Sequence, residues 1–124
     1  MAAPNIVDVS TITGKSATVA LSSTSATVLV SNAASSGKVF KINMIQVANV
    51  DGTSDADVTV DMHSAATGGG TAYSLASTVT VPANASIVII DKNTSVYLEE
   101  ARSITATASA ANDLEVVISY EEIN

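Results

Sequence analysis

The chain has 124 residues, contains no cysteine and carries a formal net charge of −7. This length is enough for one hydrophobic core, and the lack of cysteine excludes disulfides, a thiolate nucleophile and a thiolate metal site. Aromatic residues make up only 3% of the chain, and with an acidic balance this argues against a nucleic-acid partner.

Neither a membrane span nor a secretory signal is indicated by the sequence. The longest apolar run, residues 87–90, is far below the ~20 residues of a transmembrane helix. The first ten residues lack the basic and apolar regions of a signal peptide. We therefore expect a single soluble domain over residues 1–124, with no membrane partner.

Strand-like segments separated by turn residues recur along the chain, which is typical of an all-β sandwich or barrel. In the first part, strands are predicted over 5–12, 16–21, 26–31 and 38–50. The last of these changes phase, because Phe40 and Ile42 alternate in one register and Ile45 and Val47 in the other. This phase change predicts a β-bulge or bend near Met44.

The Asp51-Gly52 pair that follows is a strong hairpin signal. The next strand has the clearest alternation in the chain. Its apolar phase is predicted to face the core and its polar phase to face water. The apolar phase contains Ala56, Val58, Val60 and Met62, and the polar phase contains Asp57, Thr59, Asp61 and His63.

The glycine-rich segment 64–72 is predicted to be a flexible loop, and further strands follow it to the C-terminus. The total of about nine strands predicts one β-sandwich or jelly-roll-like domain over residues 1–124. The expected core residues are Val58, Val60, Leu75, Val79, Ile104, Leu114, Val116 and Ile118.

Asp57, Asp61 and His63 are the strongest candidates for chemistry. Side chains two residues apart on a strand share a face, so Asp61 and His63 can approach a common ion. A catalytic zinc site needs a third ligand, and the chain has no second histidine. A solvated strand face is therefore favoured over a metal site. Calcium binding within 51–57 is a weaker alternative to a turn, since the EF-hand spacing is absent.

No catalytic residue, cofactor or metal ligand is assigned, and an enzyme is not expected. A Ser-His-Asp triad would have to use His63, and no G-x-S-x-G motif occurs. The triple glycine at 68–70 has no lysine after it, unlike a phosphate-binding loop. The adjacent acids at 99–100 and 121–122 point to opposite faces of a strand, so neither pair forms a glycosidase site.

The remaining signals concern surfaces. Residues 1–50 have a net charge of +2 and residues 51–124 a net charge of −9. The basic half is expected to face an acidic partner or a sister subunit, and the acidic half with the glycine loop to face solvent. Several aliphatic residues lie in the phase opposite to the core, either between subunits or as scattered surface residues. The predicted interface residues are Lys15, Lys38, Lys41, Val88, Ile90, Val117 and Ile123.

Three stretches carry a family resemblance. They are "MAAPNIVDVSTITGKS", "NAASSGKVFKINMIQVANVDG" and "TVPANASIVIIDKNTSVYLEEARSITATASAANDLEVVISYEEI". Together they resemble small virion structural proteins of tailed bacteriophages, particularly of marine and cyanobacterial hosts.

The resemblance implies a homo-oligomeric β-sandwich, with a trimer favoured, that is made in the host cytoplasm and bound to the virion. Its expected role is a capsid decoration (cement) protein that stabilises the outer lattice by binding the major capsid protein or other virion proteins. A neck, tail or fibre component is the alternative within this class. A carbohydrate- or calcium-dependent surface-binding module is the alternative outside it.

Overall fold

A computed structural model describes residues 4–124, which form nine β-strands in two antiparallel sheets. The strands are β1 Ile12–Ala20, β2 Thr27–Asn32, β3 Val39–Asn49, β4 Ala56–His63, β5 Ala72–Val81, β6 Ser86–Ile90, β7 Val96–Leu98, β8 Arg102–Ala108 and β9 Leu114–Ile123. This confirms the predicted all-β, nine-stranded sandwich.

The strand order is that of a jelly roll. Sheet A has the order β1-β9-β3-β6, with β7 paired to β3, and sheet B has the order β2-β8-β4-β5. The first strand thus pairs with the last, β2 with β8, β3 with β6 and β4 with β5. A long antiparallel ribbon that folds over on itself produces this arrangement of two facing sheets.

The core lies between the two sheets and consists mainly of aliphatic side chains from alternating positions. Six of the eight predicted core residues are buried there: Val58, Val60, Ile104, Leu114, Val116 and Ile118. The other two lie on β5, which is an outer strand of sheet B. Leu75 is half-buried and Val79 is 39% exposed, because an outer strand has a neighbouring strand on one side only.

The phase change in β3 is a β-bulge, as predicted. Ile42 pairs with Tyr120 and Met44 with the next residue of β9, Ser119, so Asn43 is the inserted residue. The insertion allows Ile45 and Val47 to be buried on the same side as Ile42.

Two local predictions are wrong. The Asp51-Gly52 turn does not close a hairpin, because β3 belongs to sheet A and β4 to sheet B. Residues 5–11 contain turns and bends but no strand, and β1 begins only at Ile12 and continues through Gly14. A Cβ at Gly14 would meet no atom within 4 Å, so this glycine is not required by packing.

The helices in residues 4–124 are two three-residue 3₁₀ turns, Ala66–Gly68 and Lys92–Thr94. Neither has the length to cross a membrane.

Candidate functional site

His63, the one histidine of the chain, is buried at the end of β4 with 8% of its surface exposed. Its Nδ1 lies 3.2 Å from the carbonyl oxygen of Gly69, and its Nε2 lies 2.8 Å from the hydroxyl of Thr105. Because a carbonyl oxygen only accepts, the neutral ring carries its proton on Nδ1 and accepts the Thr105 hydrogen at Nε2. The prediction of a solvent-facing imidazole is therefore wrong.

The glycine-rich loop explains this burial, because it folds back over the outer face of sheet B. The backbone N–H of Gly68 donates to the hydroxyl of Ser103 at 2.8 Å, and that hydroxyl donates to the carbonyl of Ala65 at 2.8 Å. The N–H of Thr67 donates to the hydroxyl of Ser31 on β2 at 2.9 Å. The loop predicted to be a free, flexible tip is thus hydrogen-bonded to three strands, β2, β4 and β8.

The two aspartates of β4 hold the neighbouring outer strand. Asp57 accepts a hydrogen bond from the Thr80 hydroxyl and Asp61 accepts one from the Ser74 hydroxyl, both at 2.7 Å. Both partners lie on β5. As predicted, the aspartates are in the polar phase, and their carboxylates serve as cross-strand acceptors.

The region considered for calcium is occupied by turn hydrogen bonds. Asp51 Oδ1 accepts from the backbone N–H and the hydroxyl of Thr53, both at 3.1 Å. Asp55 Oδ1 accepts from the N–H of Ala83 at 3.0 Å. Within residues 4–124, no three His, Asp or Glu side chains gather as a metal-binding group.

Lys15 and Lys38 do not form a free basic surface, because both bind Glu122. Their Nζ atoms lie 2.8 Å and 2.6 Å from the two carboxylate oxygens of this residue. The hydrogen bond from Lys15 is the main reason that the pKa of Glu122 lies below its ordinary value, and the hydrogen bond from Lys38 is the second. The contact with Glu122 in turn raises the pKa of Lys15. Glu122 therefore offsets one of the two positive charges within the chain.

Lys41, the third predicted interface lysine, has no salt bridge within residues 4–124 and lines a groove of about 490 Å³ on sheet A. The groove is lined by Lys41, Asn43, Met44, Val88, Asp91, Lys92 and Glu121. Positive and negative side chains are both present, so the groove does not select one sign of charge.

Two of the four predicted interface aliphatics, Val88 and Val117, are exposed on the outer face of sheet A. Their exposed fractions are 56% and 37%. Both pair in register with Gln46, Val88 from β6 and Val117 from β9. Adjacent strands are about 4.8 Å apart, so the two valines flank Gln46 in a row about 10 Å long. We call this row, with the adjoining groove, the sheet A face.

The other two predicted interface aliphatics, Ile90 and Ile123, are buried at 3% and 5% exposure. Ile90 pairs with Ile45 whereas Val88 pairs with Gln46, so Ile89 is an inserted bulge residue. The bulge turns Ile90 into the core, away from the face that Val88 occupies. Ile123 is covered beside its register partner Val39, which is also buried. Neither side chain is available to a partner of the folded chain.

Two buried asparagines were not singled out in the sequence. Asn32 donates to the carbonyls of Lys38 and Leu98, and Asn49 donates to those of Ser54 and Val81. Each asparagine thus satisfies backbone groups where chain segments leave the sheets. An asparagine at the end of an aliphatic strand was the available signal, but turn asparagines look the same in sequence.

The fold and the sheet A face define a jelly-roll module with an exposed aliphatic row. No protein-family model matches the chain, and no curated protein matches it. Among solved structures, its fold is similar to that of a chain from Bacillus endospore appendages, which are described as a novel family of disulfide-linked pili. The two chains share 17% identity with a TM-score of 0.52, over 91% of this chain and 88% of the other. At this identity the likeness shows the fold.

Proposed function

We propose that this chain is a non-enzymatic structural protein of a tailed-bacteriophage virion that decorates the outer capsid as a homo-oligomer. The observation that supports it is the sheet A face, where Val88 and Val117 are exposed on either side of Gln46. Exposed aliphatic side chains arranged in a row on a sheet face are suited to docking against another protein surface.

The use of the polar residues also supports binding rather than catalysis. His63 contacts Thr105 and Gly69 with its two ring nitrogens, and Asp57 and Asp61 hold β5. These groups have the structural task of fixing the loop and the outer strand of sheet B. Their hydrogen bonds form within the chain and do not converge on a cleft.

The mechanism we propose is bridging. Each subunit docks its sheet A face on a neighbouring capsid protein, and an oligomer contacts several capsid proteins at once. After the first contact forms, the others become intramolecular, so modest single contacts give tight attachment. The lattice is stabilised because the oligomer has to release several contacts before two capsid proteins separate.

This proposal is tested by mixing the purified chain with capsid shells that lack it and measuring binding by co-sedimentation. Val88→Asp and Val117→Asp place a carboxylate in the docked row, and each is expected to weaken binding tenfold or more, which corresponds to ~1.4 kcal/mol. Ser77→Asp, on the exposed part of β5 in sheet B, is the matched control and should bind normally. Unchanged binding by both valine variants would reject the sheet A face as the docking surface.

A filament subunit is the second candidate, favoured by the likeness to the pilus-forming endospore appendage chain. The 124 residues contain no cysteine, so any filament of this chain is not linked through disulfides of these residues. Immunolabelling of particles from the source organism separates the candidates. Label over whole capsid shells supports decoration, label along filaments supports the second candidate, and label at one vertex or on tails supports a neck or tail component.

A further inference from the structure

We infer that β1 is a self-pairing edge, and that two copies of this chain join through antiparallel β1–β1 pairing. An outer strand has unpaired backbone N–H and C=O groups on one side, and folded proteins commonly block such edges with bulges, prolines or charges. β1 has no bulge and no proline, and its one charged residue, Lys15, is paired with Glu122 of the same chain. The inference does not depend on the capsid, because it concerns the chain alone.

The outer strands of the two sheets differ in regularity. β2 and β6 each have one break in register with their partner, and β5 has two. β1 instead pairs with β9 without a break over nine residues, from Ile12 to Ala20. Bulges twist an edge away from pairing with a further strand. Among the long outer strands of the described structure, β1 is therefore the one suited to pairing with another chain.

The hydrogen bonds at both ends of β1 show which residues point outward. Leu21 N–H donates to Leu114, and Thr11 exchanges two hydrogen bonds with Asn124. In an antiparallel ladder, hydrogen-bonded residues alternate with residues that face the other way. The unbroken register therefore directs the odd-numbered residues of β1 toward β9. The N–H and C=O groups of the even-numbered residues, 12 to 20, point to the free edge.

One register of two identical strands uses all of these groups. With Ser16 opposite Ser16 of a second copy, Gly14 lies opposite Thr18 and Ile12 opposite Ala20. All five outward residues then form hydrogen-bonded pairs, and each such pair contributes two hydrogen bonds. Shifting the register by two residues leaves outward groups without partners. In the full register Thr18 also faces the smaller Gly14, and Ile12, which is 57% exposed, lies against the smaller Ala20.

Charge does not oppose this pairing. Lys15 is the one charged residue of β1, and it is held by Glu122 of its own chain at 2.8 Å. In the proposed register the two Lys15 residues are diagonal neighbours rather than directly opposite. In this pairing, therefore, no charged residue of β1 lies directly opposite a like charge of the second copy.

The pair would extend sheet A across a two-fold axis perpendicular to the sheet. Antiparallel pairing keeps the same face of each copy on the same side. The rows that contain Val88 and Val117 would then lie on the same face of one extended sheet, with the two β1 strands between them. A two-fold pair and the trimer implied by the family resemblance are alternatives that a mass measurement separates.

Sedimentation equilibrium and single-cysteine cross-linking test the inference on the full chain. We expect a mass twice that of the chain at micromolar concentration. The chain has no cysteine, so Ser16→Cys and Thr18→Cys each introduce one thiol. In the proposed register the Ser16 Cα atoms are ~5.5 Å apart, within disulfide range, and the Thr18 Cα atoms are more than ~10 Å apart. Ser16→Cys should cross-link at least tenfold faster.

Charge reversal provides a second measurement that needs no oxidant. Ser16→Lys and Ser16→Glu should each sediment as single chains, because like charges would face each other, and an equal mixture should recover the pair. If the unsubstituted protein still has a single-chain mass at ~1 mM, the inference is overturned. A dissociation constant of ~1 mM corresponds to only ~4 kcal/mol of binding free energy. A three-chain mass, equal cross-linking of the two thiols, or failure of the mixture to pair would also overturn the inference.

Discussion

Replacing His63 with phenylalanine tests whether the one imidazole of this chain is structural. The substitution keeps a buried ring but removes the hydrogen bonds to Thr105 and Gly69. A net hydrogen bond contributes about 0.5 to 1.5 kcal/mol, and a buried polar group left without a partner costs about 1 to 3 kcal/mol. The Thr105 side chain would be left in that state, since the residue is 2% exposed. We expect the free energy of unfolding to fall by about 2 kcal/mol.

Urea denaturation followed by circular dichroism measures this change. For a domain of this size the denaturant slope is about 1 to 3 kcal/mol per molar urea, so the midpoint should fall by about 1 M. Thr105→Val is the control because it removes the hydroxyl that His63→Phe would leave without a hydrogen-bond partner. In that background the cost of His63→Phe should be smaller. A change below about 0.5 kcal/mol, typical of surface substitutions, would refute the buried hydrogen-bonded ring.

The remaining predictions concern the ion pairs and the loop. The pKa of Glu122 is held low by its lysines, so its stabilisation is complete above its ordinary pKa and is lost as the pH falls through the lowered value. In thermal melts from pH 7 to 3, Glu122→Gln should reduce the loss of stability at acid pH by about 0.5 kcal/mol, the size expected for a partly exposed ion pair. The exposed control Glu115→Gln should lose as much stability at acid pH as the unsubstituted chain. Gly70→Ala should lower the free energy of unfolding by about 1 to 2 kcal/mol in urea denaturation. Gly70 has φ +68, and the added methyl group would clash with a neighbouring hydroxyl. An unchanged urea midpoint would contradict this. Gly52→Ala, which meets only an ordinary contact at 3.5 Å, is the matched control and should be near neutral.

The strand content was predictable because it depends on local alternation. In β4, residues Val58 and Val60 are in the buried phase and Asp57 and Asp61 in the polar phase, as their order along the strand predicts. The bulge in β3 was also visible, since both of its flanking segments are apolar and their phases disagree. These signals require only neighbouring residues.

The pairing of strands and the environment of His63 were not predictable in the same way. The contacts that join His63 and its loop to β8 link residues 35 to 42 positions apart in the chain. The Ser103 and Thr105 side chains that make them look like ordinary solvent-facing positions of a strand. Likewise, no residue type marks the bulge at Ile89, so Ile90 was assigned to the same face as Val88. Which residues of a strand face the core beyond a bulge depends on how the strand pairs with its neighbouring strand.

The most direct test of the central claim is electron cryo-microscopy of virions at side-chain resolution, asking which surface of this chain contacts the capsid. We expect many copies on the capsid exterior, with Val88 and Val117 buried against the shell and the loop of residues 64–71 away from it. A chain attached through that loop and sheet B, with the two valines in solvent, would contradict docking through the sheet A face. So would virions in which the chain is absent.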